Sequence, residues 1–247
     1  MATIGTEEPL AVAVVEAIRG GDLLALERLL ADHPGLASVR LGDDDPDGMS
    51  RTLLHVATDW PGQFPNAART VALLVAAGAD VNARFRGPHT ETPLHWAASS
   101  NDLEALDALL DAGGDINAAG GVIGGGTPLA DARAFGQWQA AHRLVERGAQ
   151  TTIVDAATLG LQDRLERYFT GPTPPGPEEV TSAFWGACHG GQQPCAAFLL
   201  DRGADLNWIP PWEELTPLDA AQRSGATELV AWLRGQGACT AAELSAS

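Results

Sequence analysis

Lysine is absent from this chain. All 15 basic residues are arginine, and 32 Asp and Glu outnumber them, giving a formal charge of −17 over 247 residues. Such acidity repels phosphate backbones, which argues against nucleic-acid binding and, for the same reason, against docking on anionic membranes. Cysteine is scarce. Cys188, Cys195 and Cys239 are far apart and form no Cys-x-x-Cys, so neither a disulfide framework nor a zinc ribbon is expected, and a reducing cytoplasm is. No apolar run approaches the ~20 residues that span a bilayer. Met1 to Leu10 hold two Glu and no base, so no secretory signal is expected there. The chain is 45% hydrophobic, enough for a folded globular protein. Tyrosine occurs once and phenylalanine six times, yet there are seven tryptophans.

Catalytic motifs are missing too. There is no Gly-x-Ser-x-Gly elbow, no Walker loop, no Gly-x-Gly-x-x-Gly after a strand and no His-Glu-x-x-His. Gly124-Gly125-Gly126 is followed by no lysine and leads into Thr127, an ordinary helix N-cap, so it reads as a finger tip rather than a phosphate loop. No cofactor and no metal site are expected.

What is present is a repeat. Gly-Ala-Asp-Val-Asn-Ala starts at Gly78, Gly-Gly-Asp-Ile-Asn-Ala at Gly113, Gly-Ala-Gln-Thr at Gly148, Gly-Ala-Asp-Leu-Asn at Gly203 and Gly-Ala-Cys-Thr at Gly237, at steps of 35, 35, 55 and 34 residues. A second string keeps phase with it: Thr52-Leu-Leu-His55, Thr92-Pro-Leu-His95, Thr127-Pro-Leu-Ala130 and Thr216-Pro-Leu-Asp219. Thr suits an N-cap, and Pro suits the next position, where a backbone N–H is not needed. A second helix follows from Asp102, with Leu103, Leu106, Leu109 and Leu110 at helical spacing and Gly113 as its terminator.

With these strings the chain resembles the ankyrin-repeat family, whose unit of about 33 residues carries Thr-Pro-Leu-His-x-Ala. The resemblance runs from about Leu10 to Ala238. It implies an all-α solenoid of stacked helix-turn-helix units with extended finger loops, as one domain over residues 1–247. The units are 10–35, 51–81, 92–116, 127–151, 153–170, 181–206 and 216–238, the first and fifth divergent, with a Pro-rich connector at 171–177 and a frayed tail from Thr240. In the family the signature histidine (here His55 and His95) holds the finger turn, and Trp185 stands at the equivalent position of the sixth unit.

Departures from the pattern mark candidate functional residues, because long Pro- and aromatic-bearing loops cost conformational freedom that a plain scaffold does not need. The fingers after Asn82 and Asn117 are each longer by about two residues than the family repeat implies. An insertion, Asp59-Trp-Pro-Gly-Gln-Phe-Pro-Asn66, separates the two helices of the second unit, and the last long finger reads Trp208-Ile-Pro-Pro-Trp212-Glu-Glu. A further acidic turn contains Asp43-Asp44-Asp45. Aligned on His95, the next position usually faces the concave groove in the family, and here it reads Glu16, Val56, Trp96, Asp131, Asp155, Gly186 and Ala220. One turn on, the column reads Arg19, Asp59, Ser99, Ala134, Thr158, His189 and Arg223.

The expected binding set is therefore Trp60, Phe85, Trp96, Asp131, Asp155, Trp208 and Trp212. Trp anchors interfaces, and carboxylates beside it suit a cation. The resemblance implies a binding module that captures a protein partner, and the charge points to a partner with a basic or aromatic surface. The alternative is a cofactor-free acid/base enzyme or binder of a small apolar or cationic ligand, of isomerase, cyclase or hydratase type. In it Asp131, Asp59 or Glu91 would move the proton, assisted by His89 or His189.

Overall fold

The computed structural model describes residues 2–42 and 48–246; the Asp43-Asp44-Asp45 turn lies outside the described residues. Fifteen helices are described, with 54% helix and little strand, and they form the helical, repeat-built architecture that the Thr-Pro-Leu-His strings point to. The chain divides into two compact units, Met1–Gln150 and Thr151–Ser247.

In the first unit the helices come in pairs: α1 (Pro9–Gly20) with α2 (Leu23–Asp32), α3 (Leu53–Ala57) with α4 (Ala67–Ala76), α5 (Pro93–Ser99) with α6 (Leu103–Asp111), and α7 (Pro128–Ala134) with α8 (Trp138–Glu146). Their starts follow from the sequence chemistry. Thr52, Thr92 and Thr127 are extended N-cap residues, and Pro93 and Pro128 occupy the first helical turn. Asp22 and Asp102 cap α2 and α6 by accepting the backbone N–H of Ala25 and Ala105 at 3.0 Å. α6 stops at Gly113, whose φ of 91° only glycine adopts without strain. The core between pairs is Leu and Ala, with Leu54, Leu74, Leu94, Leu106, Leu129 and Leu144 wholly buried.

A small sheet was not legible in the sequence. β1 (Thr3–Ile4) runs parallel to β2 (Arg40–Gly42), which runs antiparallel to β3 (Ser50–Thr52). Strands of two or three residues carry no periodicity to read. Arg40 stitches the sheet to the first finger. Its buried guanidinium donates to Ser50 Oγ and O, and to Arg84 O, at 2.6–2.8 Å.

The second unit pairs α9 (Ile153–Thr158) with α10 (Gln162–Thr170), α11 (Pro177–His189) with α12 (Gln193–Leu200), and α13 (Pro217–Arg223) with α14 (Thr227–Gly235). α11 begins four residues before Thr181, the start read from the sequence, and Glu179 accepts the N–H of Gly176 to hold that earlier start. It then packs closely on α9, because a Cβ on Gly190 would lie 1.9 Å from Thr158 O and one on Gly186 2.5 Å from Thr158 Oγ1. The core contains Leu165, Phe184, Leu199, Leu218 and Leu233, with Trp232 packed against it. The tail is not frayed as the sequence suggested. Thr240 and Glu243 cap α15 (Ala241–Ser245), and Ala241 N donates to Asp219 Oδ2 at 2.8 Å.

Candidate functional site

One hydrogen-bonding device recurs and sets where the fingers lie. In α5, Thr92 N donates to His95 Nδ1 at 3.1 Å, and Nε2 on the far side of the ring meets Gly126 O, just before Thr127, at 3.2 Å. In α3, His55 Nδ1 receives Thr52 N at 3.3 Å and Nε2 meets Glu91 O, just before Thr92, at 3.1 Å. Nδ1 accepts and Nε2 donates only in the neutral imidazole with its proton on Nε2. Burial agrees: it pushes the pKa of His55 down to about 3 and that of His95 to about 4. In the second unit Trp185 takes this place, and its indole N–H donates to Leu215 O, just before Thr216, at 2.9 Å.

Asp155 belongs to the same series, which corrects the sequence alignment by one residue. It is not the residue after the histidine position but the residue at it. Its Oδ2 accepts Thr152 N at 2.8 Å and Thr152 Oγ1 at 2.7 Å, as Asp219 does for Thr216. The structure gives this carboxylate a capping role.

Three groups of candidate residues remain. The first lies beside β3. Asp59 accepts from Arg19 at 2.9 Å and Arg51 at 2.7 Å, and its Oδ1 takes Trp60 N at 3.0 Å. Two guanidiniums thus share that carboxylate, while the Trp60 side chain is 81% exposed.

The second group is in the long fingers of the first unit. Trp96, partly exposed on α5, meets His55 edge-on at 4.9 Å and Phe85 at 5.5 Å. Asp131, in the first turn of α7, is 1% exposed. Its Oδ1 accepts Ile123 N at 3.2 Å, and a Cβ on Gly121 would lie 2.7 Å from its Oδ2, so a glycine is needed where the finger crosses the carboxyl. Burial first, then the charge of Glu91, raise the Asp131 pKa to about 6, against the opposing pull of the Ile123 N–H and of His89. Glu91 Oε2 is buried with no hydrogen-bond donor. The Asp131 carboxyl is therefore poised to hold or release a proton near neutrality, under a finger that covers it. His89 is exposed at the finger tip.

The third group is in the second unit. Trp185, 7% exposed, is a floor. His189 stacks on it at 5.5 Å and 27°, and Trp212 meets it edge-on at 6.5 Å. Trp208 meets Trp212 edge-on at 5.5 Å, and Trp212 is left 63% exposed. The Arg223 guanidinium lies 5.9 Å from the Trp185 ring centre, pairs with Glu213, and has Nη2 3.4 Å from His189 Nδ1. Trp185, Glu213 and Arg223 were not among the expected site residues. The signal was present: Arg223 stands in the groove column and Glu213 in the Trp208–Glu214 finger.

Two surface hollows sit away from these groups. One of about 590 Å³ lies between Gly191 and Leu229, the other of about 480 Å³ between Gln63 and Gln139, and neither is lined by a candidate residue. Among the described residues no helix is long and apolar enough to cross a membrane, and no three His, Cys, Asp or Glu are grouped so as to hold a metal ion.

Residues 63–155 match the family model of ankyrin repeats as three copies. Palmitoyltransferase AKR1 of Candida albicans (strain SC5314 / ATCC MYA-2876) is 39% identical over 77 residues, 30% of this chain and 8% of that protein. The match thus spans under a tenth of that relative's length.

Proposed function

From a chain that carries ankyrin repeats, units that in general bind proteins, we propose a module that captures a protein partner with a basic or aromatic surface. The observation that carries this reading is the exposure of Trp60 and Trp212, at 81% and 63%. Indoles held out on a loop insertion and a finger contribute little to the core, and Trp is the residue most enriched among interface hot spots. Trp96 with Phe85, and Trp208, extend the binding set from partly exposed positions. The −17 charge favours a basic partner and speeds its encounter. Three free cysteines suit a reducing, cytoplasmic setting. Substituting Trp60 and Trp212 together by Ala is expected to abolish capture of the partner while moving the melting temperature by no more than about 2 °C, as for surface changes. Retained capture would overturn the reading.

A second reading is supported by Asp131 alone. A carboxyl with its pKa near 6 can act as acid or base toward a small ligand admitted under the 119–126 finger. If it does, Asp131→Asn removes ligand turnover but leaves partner capture unchanged.

A further inference from the structure

The third group of residues already holds a guanidinium, its own. Arg223 lies over the Trp185 ring, Glu213 neutralises it, and His189 flanks it. An indole face, a carboxylate and a polar edge are the three contacts that recognise arginine: the ring quadrupole attracts the flat cation, and the carboxylate accepts its N–H groups in plane. Beside this occupied place stands a second indole face with none. Trp212 is 63% exposed, set edge-on between Trp185 and Trp208, and Glu213 and Glu214 follow it directly in the chain. Twelve Asp and Glu stand against five Arg between residues 151 and 247, so the approach is electrostatically attractive to cations.

We propose that the Trp208–Trp212 finger is a docking site for an arginine side chain on a basic, extended segment of the partner. The incoming guanidinium lies on the open face of Trp212 and shares the Glu213–Glu214 carboxylates. This deepens the binding reading by naming what the partner presents. Arginine fits better than lysine, because a compact ammonium cannot stack flat on an indole while forming a two-pronged bond to a carboxylate. Arg223 acts as an internal competitor: it occupies Glu213 and the Trp185 face, and an incoming arginine must share the one or displace it from the other.

The test uses the full chain and a dye-labelled, end-capped Gly-Arg-Gly-Arg-Gly peptide, with matched peptides carrying lysine or citrulline in place of arginine. Fluorescence anisotropy reads binding at near-physiological salt. The expected order is arginine, then lysine, with citrulline below detection. Trp212→Ala weakens the arginine peptide about tenfold or more, and Leu24→Ala, at an exposed apolar residue of α2 outside the binding set, leaves it unchanged. Arg223→Ala tightens it, whereas Arg234→Ala, which removes the same charge from the Glu243 pair, does not. Arg223→Ala also guards against misfolding of the Trp212 variant, since a gain of affinity does not come from an unfolded protein. Equal binding of arginine and lysine peptides overturns the proposal, as does an equal response to the Trp212 and Leu24 variants or to the two Arg variants, because each reduces the effect to bulk charge. Absence of saturable binding overturns it as well. Native partner capture that is lost in the Trp60→Ala, Trp212→Ala double variant but kept in Trp212→Ala alone would leave the module reading standing and remove only the arginine site.

Discussion

Single residues set the pH response. His55 and His95 are neutral when folded, with pKa values near 3 and 4, whereas an unfolded histidine titrates near 6.5. Below pH 6.5 the unfolded chain takes up protons that the folded one refuses. Stability is therefore lost as pH falls toward 4, by about 1.4 kcal/mol per histidine per pH unit. Asp131 has the opposite sign. Its folded pKa is raised to about 6 from 3.8, so its burial cost is largest above pH 6 and is relieved as the carboxyl protonates between pH 6 and 3.8. Urea midpoints across pH 7.5 to 4.5 should show net acid destabilisation, and Asp131→Asn should steepen it by removing the counteracting term. A shallower slope in that variant would contradict the assignment. The signature histidines were legible in the Thr-Pro-Leu-His strings, because they act on their own helix start. Asp155 was misplaced by one residue because Thr152-Ile-Val-Asp155 lacks the Pro-Leu that marks Thr216-Pro-Leu-Asp219, and only its bonds to Thr152 reveal the register.

At the scale of elements, helix pairs were legible because their starts and stops are local: Thr then Pro at one end, Gly at the other. Part of the column one turn beyond the histidine position shows in contacts between units. Arg19 and Asp59 stand at equivalent places in successive units and form an ion pair, and His189 meets Arg223 in the same way. The small sheet was not legible, since its strands are too short to carry a period and β1 pairs with a segment far away in sequence; nor was the finger fold over Asp131, which rests on a buried carboxyl accepting the Ile123 N–H and carries no periodic mark. The close approach of α11 to α9 rests on glycine. Gly190→Ala should destabilise the second unit by at least about 2 kcal/mol, since the added carbon must displace a backbone carbonyl rather than a mobile side chain. Trp185→Ala should cost about 3–5 kcal/mol through lost packing and the bond to Leu215 O, whereas Trp60→Ala should stay within about 0.5 kcal/mol. Chemical denaturation of the three variants checks the ordering.

At the scale of the whole molecule, the excess of tryptophan divides by role. Trp185 and Trp232 are built into the second unit's packing, while Trp60 and Trp212 stand out from the surface. Composition displayed that excess, yet it could not separate the two roles, because both use the same side chain and differ only in what covers it. The acidity likewise has a local part: Asp59 is neutralised by two arginines, and Asp155 and Asp219 cap helices. Exposed indoles on a helical-repeat scaffold are proposed to capture a protein. Quantitative capture by immobilised full-length chain, run in parallel for wild type and the Trp60→Ala, Trp212→Ala double variant with matched melting curves, tests it most directly. Wild type should retain a partner that is lost from a double variant melting at the same temperature. An unchanged set of captured proteins at equal stability would contradict it.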